Sequence, residues 1–195
     1  GLDYPEGLAI DSAGDLFEAD HGSGNIYEFT PGGVRSTFAS GFGGIWALAF
    51  NNVGNLFVAD GNIYKFTPDG EQSTFATGLN SPFALVFNNA SDLFVTDGTG
   101  NASIDEFTPD GVKSTFASGL HYALALAFNN AGDLFTVADT DSIYEYKPDG
   151  TQSTFASGLE APYALAFQPV PEPSIFELLT VSVTVFFIRR RRLVI

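Results

Sequence analysis

The sequence predicts an all-β protein made of repeated units, and three observations support this prediction. The chain contains 20 Phe and 7 Tyr among its 195 residues, and aromatic residues favour β-strands. Its 21 Gly and 10 Pro divide it into short segments. A Ser-Thr-Phe phrase recurs at 36–42, 73–79, 114–120 and 153–159. Short strands joined by tight turns, repeated about every 40 residues, explain these features better than long helices do.

Each unit contains four short runs of strand-forming residues in a fixed order. In the second unit, apolar runs at 47–50 and 56–60 flank the turn Asn51-Asn52-Val53-Gly54, which predicts a hairpin. A third run, Ile63-Tyr64-Lys65-Phe66, leads to the turn Thr67-Pro68-Asp69-Gly70, with Pro preset at its first corner. The Ser-Thr-Phe phrase then forms the fourth strand. Each unit is therefore predicted to be a four-stranded antiparallel meander.

A unit of about forty residues with four antiparallel strands and no helix is typical of one blade of a β-propeller. In that fold, a sheet too small to bury its own faces packs against its neighbours. The predicted propeller domain covers 1–168. Its blades are 5–42, 43–79, 80–120 and 121–159, followed by a partial blade at 160–168 that supplies only a first strand.

The units also resemble the NHL-repeat family. The shared features are an apolar first strand, a second strand of the Gly-Asn-Leu-Phe-Val-Ala-Asp type, as at 54–60, and a third strand of the Ile-Tyr-Glu-Phe type, as at 26–29. The resemblance covers residues 1–168 and implies the propeller fold. It does not imply one activity, because propellers of this kind are similar in sequence whether they bind or catalyse.

The two ends of the propeller region predict an incomplete ring. Gly1-Leu2 before Asp3-Tyr4-Pro5 corresponds to Gly158-Leu159 before Glu160-Ala161-Pro162, where a Ser-Thr-Phe phrase ends. We therefore expect the natural protein to have more chain upstream, including part or all of another blade and a signal peptide. For the chain as it stands, we expect an open arc or a strained small ring, with an exposed sheet edge that favours association.

The charge pattern limits the partners. The net charge is −15, and four of the eight basic residues are the arginines at 189–192. Because only Glu172 and Glu177 of the 23 acidic residues follow residue 168, the propeller region holds 21 acidic residues against four basic ones. Such a surface repels phosphate backbones, so nucleic acid is not an expected partner, whereas cations and neutral ligands are. With no Cys, the chain has neither disulfides nor thiolate chemistry.

Residues 169–195 differ from the repeats. Three prolines between 169 and 173 withhold backbone donors and so end the sheet. A mostly apolar run at 175–188 predicts a short hydrophobic helix, which is shorter than the roughly 20 residues that a helix needs to span a bilayer. The four arginines after it are typical of the cytoplasmic end of a membrane segment.

This tail resembles the PEP-CTERM sorting signal of Gram-negative bacteria. The residues that carry the resemblance are Val170, Pro171, Glu172, Pro173, Ser174, Arg189, Arg190, Arg191 and Arg192. It implies an exported protein, held in the inner membrane by its C-terminus until an exosortase-type enzyme processes it. The propeller would then reach the cell surface or the extracellular matrix of a biofilm. The alternative is a plain C-terminal membrane anchor, which also places the propeller outside the cytoplasm.

One position varies from blade to blade in the loops that lead into each first strand. It is occupied by Glu6, Trp46, Phe83, Leu124 and Tyr163. In a propeller these loops gather on one face around the mouth of the central channel, where ligands usually bind. Aromatic side chains there could stack on sugar rings or apolar ligands, with Glu6 as the charged member and His121 in one of the same loops. The alternative is that these side chains only pack against one another.

A second recurring position closes each second strand with an aspartate. It is occupied by Asp20, Asp60, Asp97 and Asp139. Recurrence in every blade indicates a structural role, most simply an Asx turn that accepts backbone N–H groups of the following loop. The alternative is a cation site, for which Asp20, Asp97, Asp139 and Asp141 are the candidates. Ca²⁺ would need several converging oxygens, and these loops do not match the EF-hand pattern, so no cofactor is expected.

These observations favour an exported, non-catalytic binding module over an enzyme. The two histidines, His21 and His121, show no catalytic or metal-ligand spacing, so no catalytic residue is assigned. The expected partners are an exopolysaccharide or a surface protein. The alternative is a propeller hydrolase or lyase, gluconolactonase-like or streptogramin-lyase-like, with its site partly on missing blades. Some related propellers are such enzymes, and Glu6-Gly7 resembles the metal-binding glutamate of gluconolactonases. A third alternative is a spacer with no ligand of its own.

Overall fold

Four antiparallel sheets of four strands each make up the described part of the chain. A computed structural model of the 195-residue chain describes residues 1–98, 100–138 and 141–167. The strands of each sheet follow one another in sequence, so each sheet is a meander, and no helix occurs among the described residues. The structure is therefore an all-β four-bladed propeller, which confirms the predicted fold class. The short helix predicted for the tail lies outside the described residues.

The strands have similar bounds in all four blades. The first blade contains β1 (Pro5–Ile10), β2 (Leu16–Asp20), β3 (Asn25–Phe29) and β4 (Arg35–Ser40). The second contains β5 (Ala47–Phe50), β6 (Leu56–Asp60), β7 (Asn62–Phe66) and β8 (Gln72–Ala76). The third contains β9 (Pro82–Phe87), β10 (Leu93–Asp97), β11 (Ala102–Phe107) and β12 (Lys113–Leu120). The fourth contains β13 (Ala125–Phe128), β14 (Leu134–Ala138), β15 (Ser142–Tyr146) and β16 (Gln152–Ala156).

The same side-chain hydrogen bonds hold the turn between the first and second strands of every blade. In the second blade, Asn51 Oδ1 accepts hydrogen bonds from the N–H groups of Val53 (3.2 Å) and Asn55 (2.9 Å). Gly54 in this turn has a φ of 83°, a left-handed conformation that glycine adopts without strain. The residues that make the same pair of bonds in the other blades are Asp11, Asn88 and Asn129.

The core lies between neighbouring blades and is organised around one Phe in each second strand. Phe57 of β6 makes edge-to-face contacts with Phe75 of its own blade (5.0 Å between ring centroids) and with Phe87 of the third blade (4.9 Å). Such contacts add about 0.5–1.5 kcal/mol to the burial of the rings. The equivalent residues, each with a corresponding pair of contacts, are Phe17, Phe94 and Phe135.

The blades follow one another along an arc. The first strands β1, β5, β9 and β13 pack on one another in that order, but within the described residues β13 and β1 do not pack in this way. The face of the first blade that points away from the second blade, which we call its outer face, is consequently open. Leu8 there is 62% exposed and Ile10 66% exposed, whereas the matching Leu48 of the second blade is buried.

Residues 161–167 lie against the fourth blade without forming a strand. The ring of Phe167 contacts Phe135 at 4.9 Å, which is the place that Phe50 takes against Phe17 at the first blade interface. This segment therefore takes the position of the first strand of a further blade.

The remaining tail, residues 168–195, lies outside the described residues, and so do the predicted sorting-signal residues at 170–174 and 189–192. Among the residues that are described, no helix is long and apolar enough to cross a bilayer. The sorting signal and the membrane anchor therefore remain predictions from the sequence.

Candidate functional site

The candidate site lies at the end of the blades opposite the turns that join each first strand to its second strand. Because the strands of each blade alternate in direction, the loops from the second to the third strand meet there with the loops that enter each first strand. The first strands approach one another closely at the centre. A Cβ atom on Gly7, for example, would lie only 2.8 Å from the Cα of Ala47. We call this end of the molecule the channel mouth.

A cavity of about 620 Å³ occupies the channel mouth. The residues that line it are Glu6, Trp46, Phe83, Tyr122, Leu124 and Tyr163. The structure thus brings together the complete variable position that the sequence singles out, and it adds Tyr122. The lining combines one carboxylate with four aromatic rings and one aliphatic side chain. Whether the cavity binds a ligand remains a prediction.

The backbone explains why these side chains converge. In four of the five loops, the residue two places before the variable position has a positive φ. These residues are Tyr4 (59°), Ser81 (139°), Tyr122 (51°) and Ala161 (45°). Such conformations are strained for residues other than glycine and are concentrated at functional sites. Each of these residues produces a turn, and the residue two places later, at the variable position, lies at the channel mouth.

His21 is a residue of this end that the sequence analysis does not assign to the site. Its ring lies 4.2 Å from the ring of Trp46, and Trp46 lies 4.4 Å from Phe83, measured between centroids. His21 directly follows the recurring Asp20, in the loop between the second and third strands. The sequence position of His21 could have predicted its place at the channel mouth, because the loops between second and third strands reach the same end of the propeller as the variable position.

His121, which the sequence places at the mouth, is exposed and is not among the residues that line the cavity. Its neighbour Tyr122 lines the cavity instead. Tyr122 has a left-handed backbone, with a φ of 51°.

The recurring aspartates bind backbone N–H groups, but in a different loop from the one predicted. Asp20 Oδ1 accepts the N–H of Asp3 (2.7 Å), and Asp97 Oδ1 accepts the N–H of Asn80 (2.6 Å). Asp60 accepts the N–H groups of the equivalent loop, at 43 and 44. These donors precede the aspartates by 16 or 17 residues, so the prediction of donors in the following loop was wrong. The reason is the antiparallel pairing, which sets the start of each first strand beside the end of its second strand.

The predicted cation candidates do not come together in the described residues. No three His, Asp or Glu side chains of this part of the chain are placed to hold a metal ion. The carboxylates of Asp20 and Asp97 bind backbone groups, and Asp141 accepts a hydrogen bond from Ser142 Oγ (2.7 Å). Asp139 lies outside the described residues.

A second buried acid of the first blade, Glu18, lies two residues before Asp20, which is buried as well. Glu18 is only 2% exposed, and no described residue donates a hydrogen bond to either of its carboxylate oxygens. Burial, reinforced by the charge of Asp20 and opposed by that of Arg35, raises the pKa of Glu18 to about 7. A buried acid of this kind is costly for folding, and its matching residue in the second blade is Val58.

Two other cavities lie between neighbouring blades at the opposite end of the molecule. Their volumes are about 730 Å³, between the first and second blades, and 350 Å³, between the third and fourth. They are lined mainly by residues that recur in the blades, such as Phe50 and Phe128 and the turn residues Asn51 and Asn129. The channel mouth is the stronger candidate although it is not the largest cavity, because it collects side chains that differ between blades.

Comparison with known proteins identifies structural neighbours but no sequence family. No protein-family model matches the chain, and no curated protein sequence matches it either. A gluconolactonase from Xanthomonas campestris superposes with a TM-score of 0.75 at 17% identity, over 84% of this chain and 65% of that one. A streptogramin B lyase superposes with a TM-score of 0.68 at 16% identity, over 77% of this chain and 54% of that one.

A third similar structure is a catalytically inactive His-to-Ala variant of virginiamycin B lyase from Staphylococcus aureus, determined with quinupristin. Its TM-score is 0.66 at 18% identity, over 77% of this chain and 55% of that one. The matched region spans roughly half to two thirds of these three proteins. At such identities the comparisons show the fold, a β-propeller with neighbours of the gluconolactonase and streptogramin lyase type.

Proposed function

We propose that this propeller binds a small ring-shaped ligand at the channel mouth. The observation that carries the proposal is a single cavity that collects a carboxylate, four aromatic rings and a leucine from five loops. Small-molecule sites are typically concave and mostly apolar, with a few polar groups that orient the ligand. The mouth has this composition, and it is built from the side chains that vary between otherwise similar blades.

We further propose that the site opens a cyclic ester, with ligand binding as the first step. The sequence favours a non-catalytic module and keeps a hydrolase or lyase as the alternative. The neighbours support that alternative better, because they are a gluconolactonase and two lyases, and a His-to-Ala variant of one lyase is inactive. A lactone is a cyclic ester, and its ring suits an aromatic-lined cavity.

The groups available for such a reaction are Glu6 and His21. Hydrolysis adds a water to the ester carbonyl, breaks the ring C–O bond and returns a proton to the leaving oxygen, so it needs proton transfer in both directions. His21 Nδ1 lies 3.3 Å from the carbonyl oxygen of Ile45. Because a carbonyl only accepts, Nδ1 is the donor of this pair, and in the neutral tautomer with its proton on Nδ1 the Nε2 atom can act as a general base. Glu6 lines the cavity itself.

Ligand binding can be measured directly, because Trp46 is the only tryptophan of the chain and lines the cavity. Titration with gluconolactone and with neutral sugars should change the Trp46 emission, and calorimetry should give the same Kd. Phe83→Ala should weaken binding about tenfold to a hundredfold without unfolding the domain, as expected for loss of a central aromatic contact. Trp46→Ala and Phe83→Ala should also reduce retention on matrix polysaccharide. Unchanged affinity and retention would contradict the binding proposal.

Catalysis is tested by a lactone-hydrolysis assay with and without added Ca²⁺ or Zn²⁺. His21→Ala should abolish turnover while leaving the fold intact, and Glu6→Gln should lower it. His121→Ala compares the two histidines: neither lines the cavity itself, but the ring of His21 lies 4.2 Å from that of the lining residue Trp46. His121→Ala should retain turnover. Binding without turnover under any of these conditions would leave a non-catalytic binding module.

We also propose, from the sequence of the tail, that the protein is exported and sorted to the cell envelope by an exosortase-type enzyme. The intact mass of the native protein from the membrane and from the medium tests this proposal. Release of a form that lacks the segment after Val170 would support it. A released form that retains the four arginines at 189–192 would contradict it.

A further inference from the structure

The channel mouth has an unusual balance of charge. Its lining contains four aromatic rings and the carboxylate of Glu6, and no Lys or Arg among the described residues borders the cavity. Tyr163 is 75% exposed and Tyr122 49% exposed, so both rings remain accessible to a ligand. A neutral sugar or lactone needs hydrogen-bond donors and acceptors, which the side chains of this lining offer through Glu6, the two tyrosine hydroxyls and the indole N–H of Trp46.

Aromatic faces carry partial negative charge and attract cations, most strongly in tryptophan. Trp46 is held in place by its contacts with His21 and Phe83. Its ring is therefore fixed before a ligand arrives, which lowers the entropy lost on binding. Several aromatic rings around one cavity, together with a carboxylate, suit an ammonium or quaternary ammonium group better than they suit an anion.

The surrounding charge acts in the same direction. The propeller region has four basic residues against 21 acidic ones. Two of the four are already paired, Lys113 with Asp105 (2.9 Å) and Lys147 with Asp133 (3.0 Å). A strongly negative domain raises the local concentration of cations and their rate of association.

From these three features we infer that the ligand of the channel mouth carries a positive charge, as an ammonium or quaternary ammonium group on a small organic molecule. The aromatic rings hold the cationic group, and Glu6 serves as its counter-ion. This inference rests on the proposed function, because it specifies the charge of the ligand that the same cavity binds.

The test compares choline with 3,3-dimethylbutan-1-ol, a neutral molecule of the same shape in which carbon replaces the quaternary nitrogen. Both are titrated into the full chain, with Trp46 fluorescence and calorimetry as independent measurements. Choline should bind about threefold to thirtyfold more tightly, which is the range expected for cation–π contacts. Raising the salt concentration should weaken choline binding and leave the alcohol unaffected.

Glu6→Gln tests how much the carboxylate contributes to binding, independently of the aromatic rings. It should weaken choline binding about twofold to fivefold, as for an exposed ion pair, and leave the alcohol unchanged. The matched control is Glu71→Gln, which removes the same charge from an exposed turn at the opposite end of the second blade. Glu71→Gln should leave the affinity for both molecules unchanged. Both glutamates are exposed, so neither substitution is expected to impair folding.

The outcomes distinguish this inference from the proposed function. Equal affinity for choline and the alcohol, or tighter binding of the alcohol, overturns the cationic ligand. If neutral sugars or lactones bind more tightly than choline, the inference fails and the proposed function stands. If neither method detects binding of any of these compounds, both fail.

Discussion

The first and second blades have the same architecture and different chemistry. Both have four strands in the same register, a Phe in the second strand that contacts the next blade, and an Asp or Asn that holds the first turn. At three of the matched positions where they differ, the first blade carries an acid or an imidazole. These pairs are Glu6 and Trp46, Glu18 and Val58, and His21 and Gly61.

At positions 18 and 21 the first blade carries an ionisable side chain, and the matching residues of the second blade are not ionisable. At position 6 the first blade has an acid, and the matching residue of the second blade is a tryptophan. The shared residues pack between blades or close turns, so they account for the fold. Residues that depart from the repeat are not needed for the blade itself, because the second blade folds without them. The comparison therefore separates structural from functional candidates within a single chain, and the following experiments test that separation.

Among substitutions at positions where the two blades differ, the largest effect is expected from converting Glu18 to Val, the residue of the second blade. Because burial raises the pKa of Glu18 from 4.5 to about 7, the folded state binds this proton more tightly than the unfolded state. The stability that the group contributes is present below pH 4.5 and is lost as the pH rises to 7. The variant Glu18→Val does not undergo this loss. The difference in free energy of unfolding between Glu18→Val and the wild type should therefore increase, in favour of the variant, by about 3 kcal/mol between pH 4 and pH 8.

Urea unfolding followed by circular dichroism at several pH values measures this difference. Glu71→Gln is the control for the removal of one negative charge, and its stability should follow the wild-type pH dependence. Parallel pH profiles for Glu18→Val and the wild type would show that Glu18 is not buried in solution, and the first blade would then lose its main distinction from the second.

The next effect concerns a feature that the two blades share. Asn51→Ala removes an acceptor of two backbone hydrogen bonds and should destabilise the protein by about 1–2 kcal/mol, at about 1 kcal/mol or somewhat less per bond. Asp11→Ala removes the matching pair in the first blade and should cost a similar amount. Ligand affinity should not change in either variant, because the turns lie opposite the channel mouth. Thermal and urea unfolding give the first quantity, and Trp46 titration gives the second.

A smaller effect is expected where the two blades meet at the mouth. A Cβ atom on Gly44 would lie 2.7 Å from Cε1 of His21, so Gly44→Ala must displace the imidazole from Trp46. The emission of Trp46 should shift, and affinity should fall about threefold to tenfold through the lost aromatic contact. In a His21→Ala background the same substitution should have no further effect, because nothing remains to be displaced. An equal loss in both backgrounds would show that Gly44 acts through the backbone.

The sequence predicts the repeated features well because each is set by local residues. The phrase spacing defines the four blades, and the turn-forming residues between the first two strands of each blade, mostly Asn and Gly, define the hairpins. The variable position at Glu6, Trp46 and Phe83 is also predictable, since loops in register must converge at one end. Contacts that depend on geometry between loops are not predictable in this way. The path of one loop places Tyr122 and not His121 in the cavity lining. The partners of Asp20 depend on which strand end lies beside it.

The burial of Glu18 shows the same limit. Its neighbours in sequence, Phe17 and Ala19, face the second blade, so alternation predicts that Glu18 lies on the opposite face. That face is open in the first blade and should expose a charged side chain, as it exposes Leu8. The structure buries Glu18 nevertheless, and a single sequence gives no signal for this.

The smallest effect is expected from Leu8→Ala. Leu8 and Leu48 occupy the same position of the first strand, but Leu8 is 62% exposed and Leu48 is 6% exposed. Leu48→Ala should therefore cost about 2–5 kcal/mol, whereas Leu8→Ala should cost about 0.5 kcal/mol or less. Urea unfolding at several protein concentrations measures both. If Leu8→Ala costs as much as Leu48→Ala, then another molecule or segment covers the outer face of the first blade in solution. A cost that grows with protein concentration would identify that cover as a second copy of the chain, because only an intermolecular contact depends on concentration.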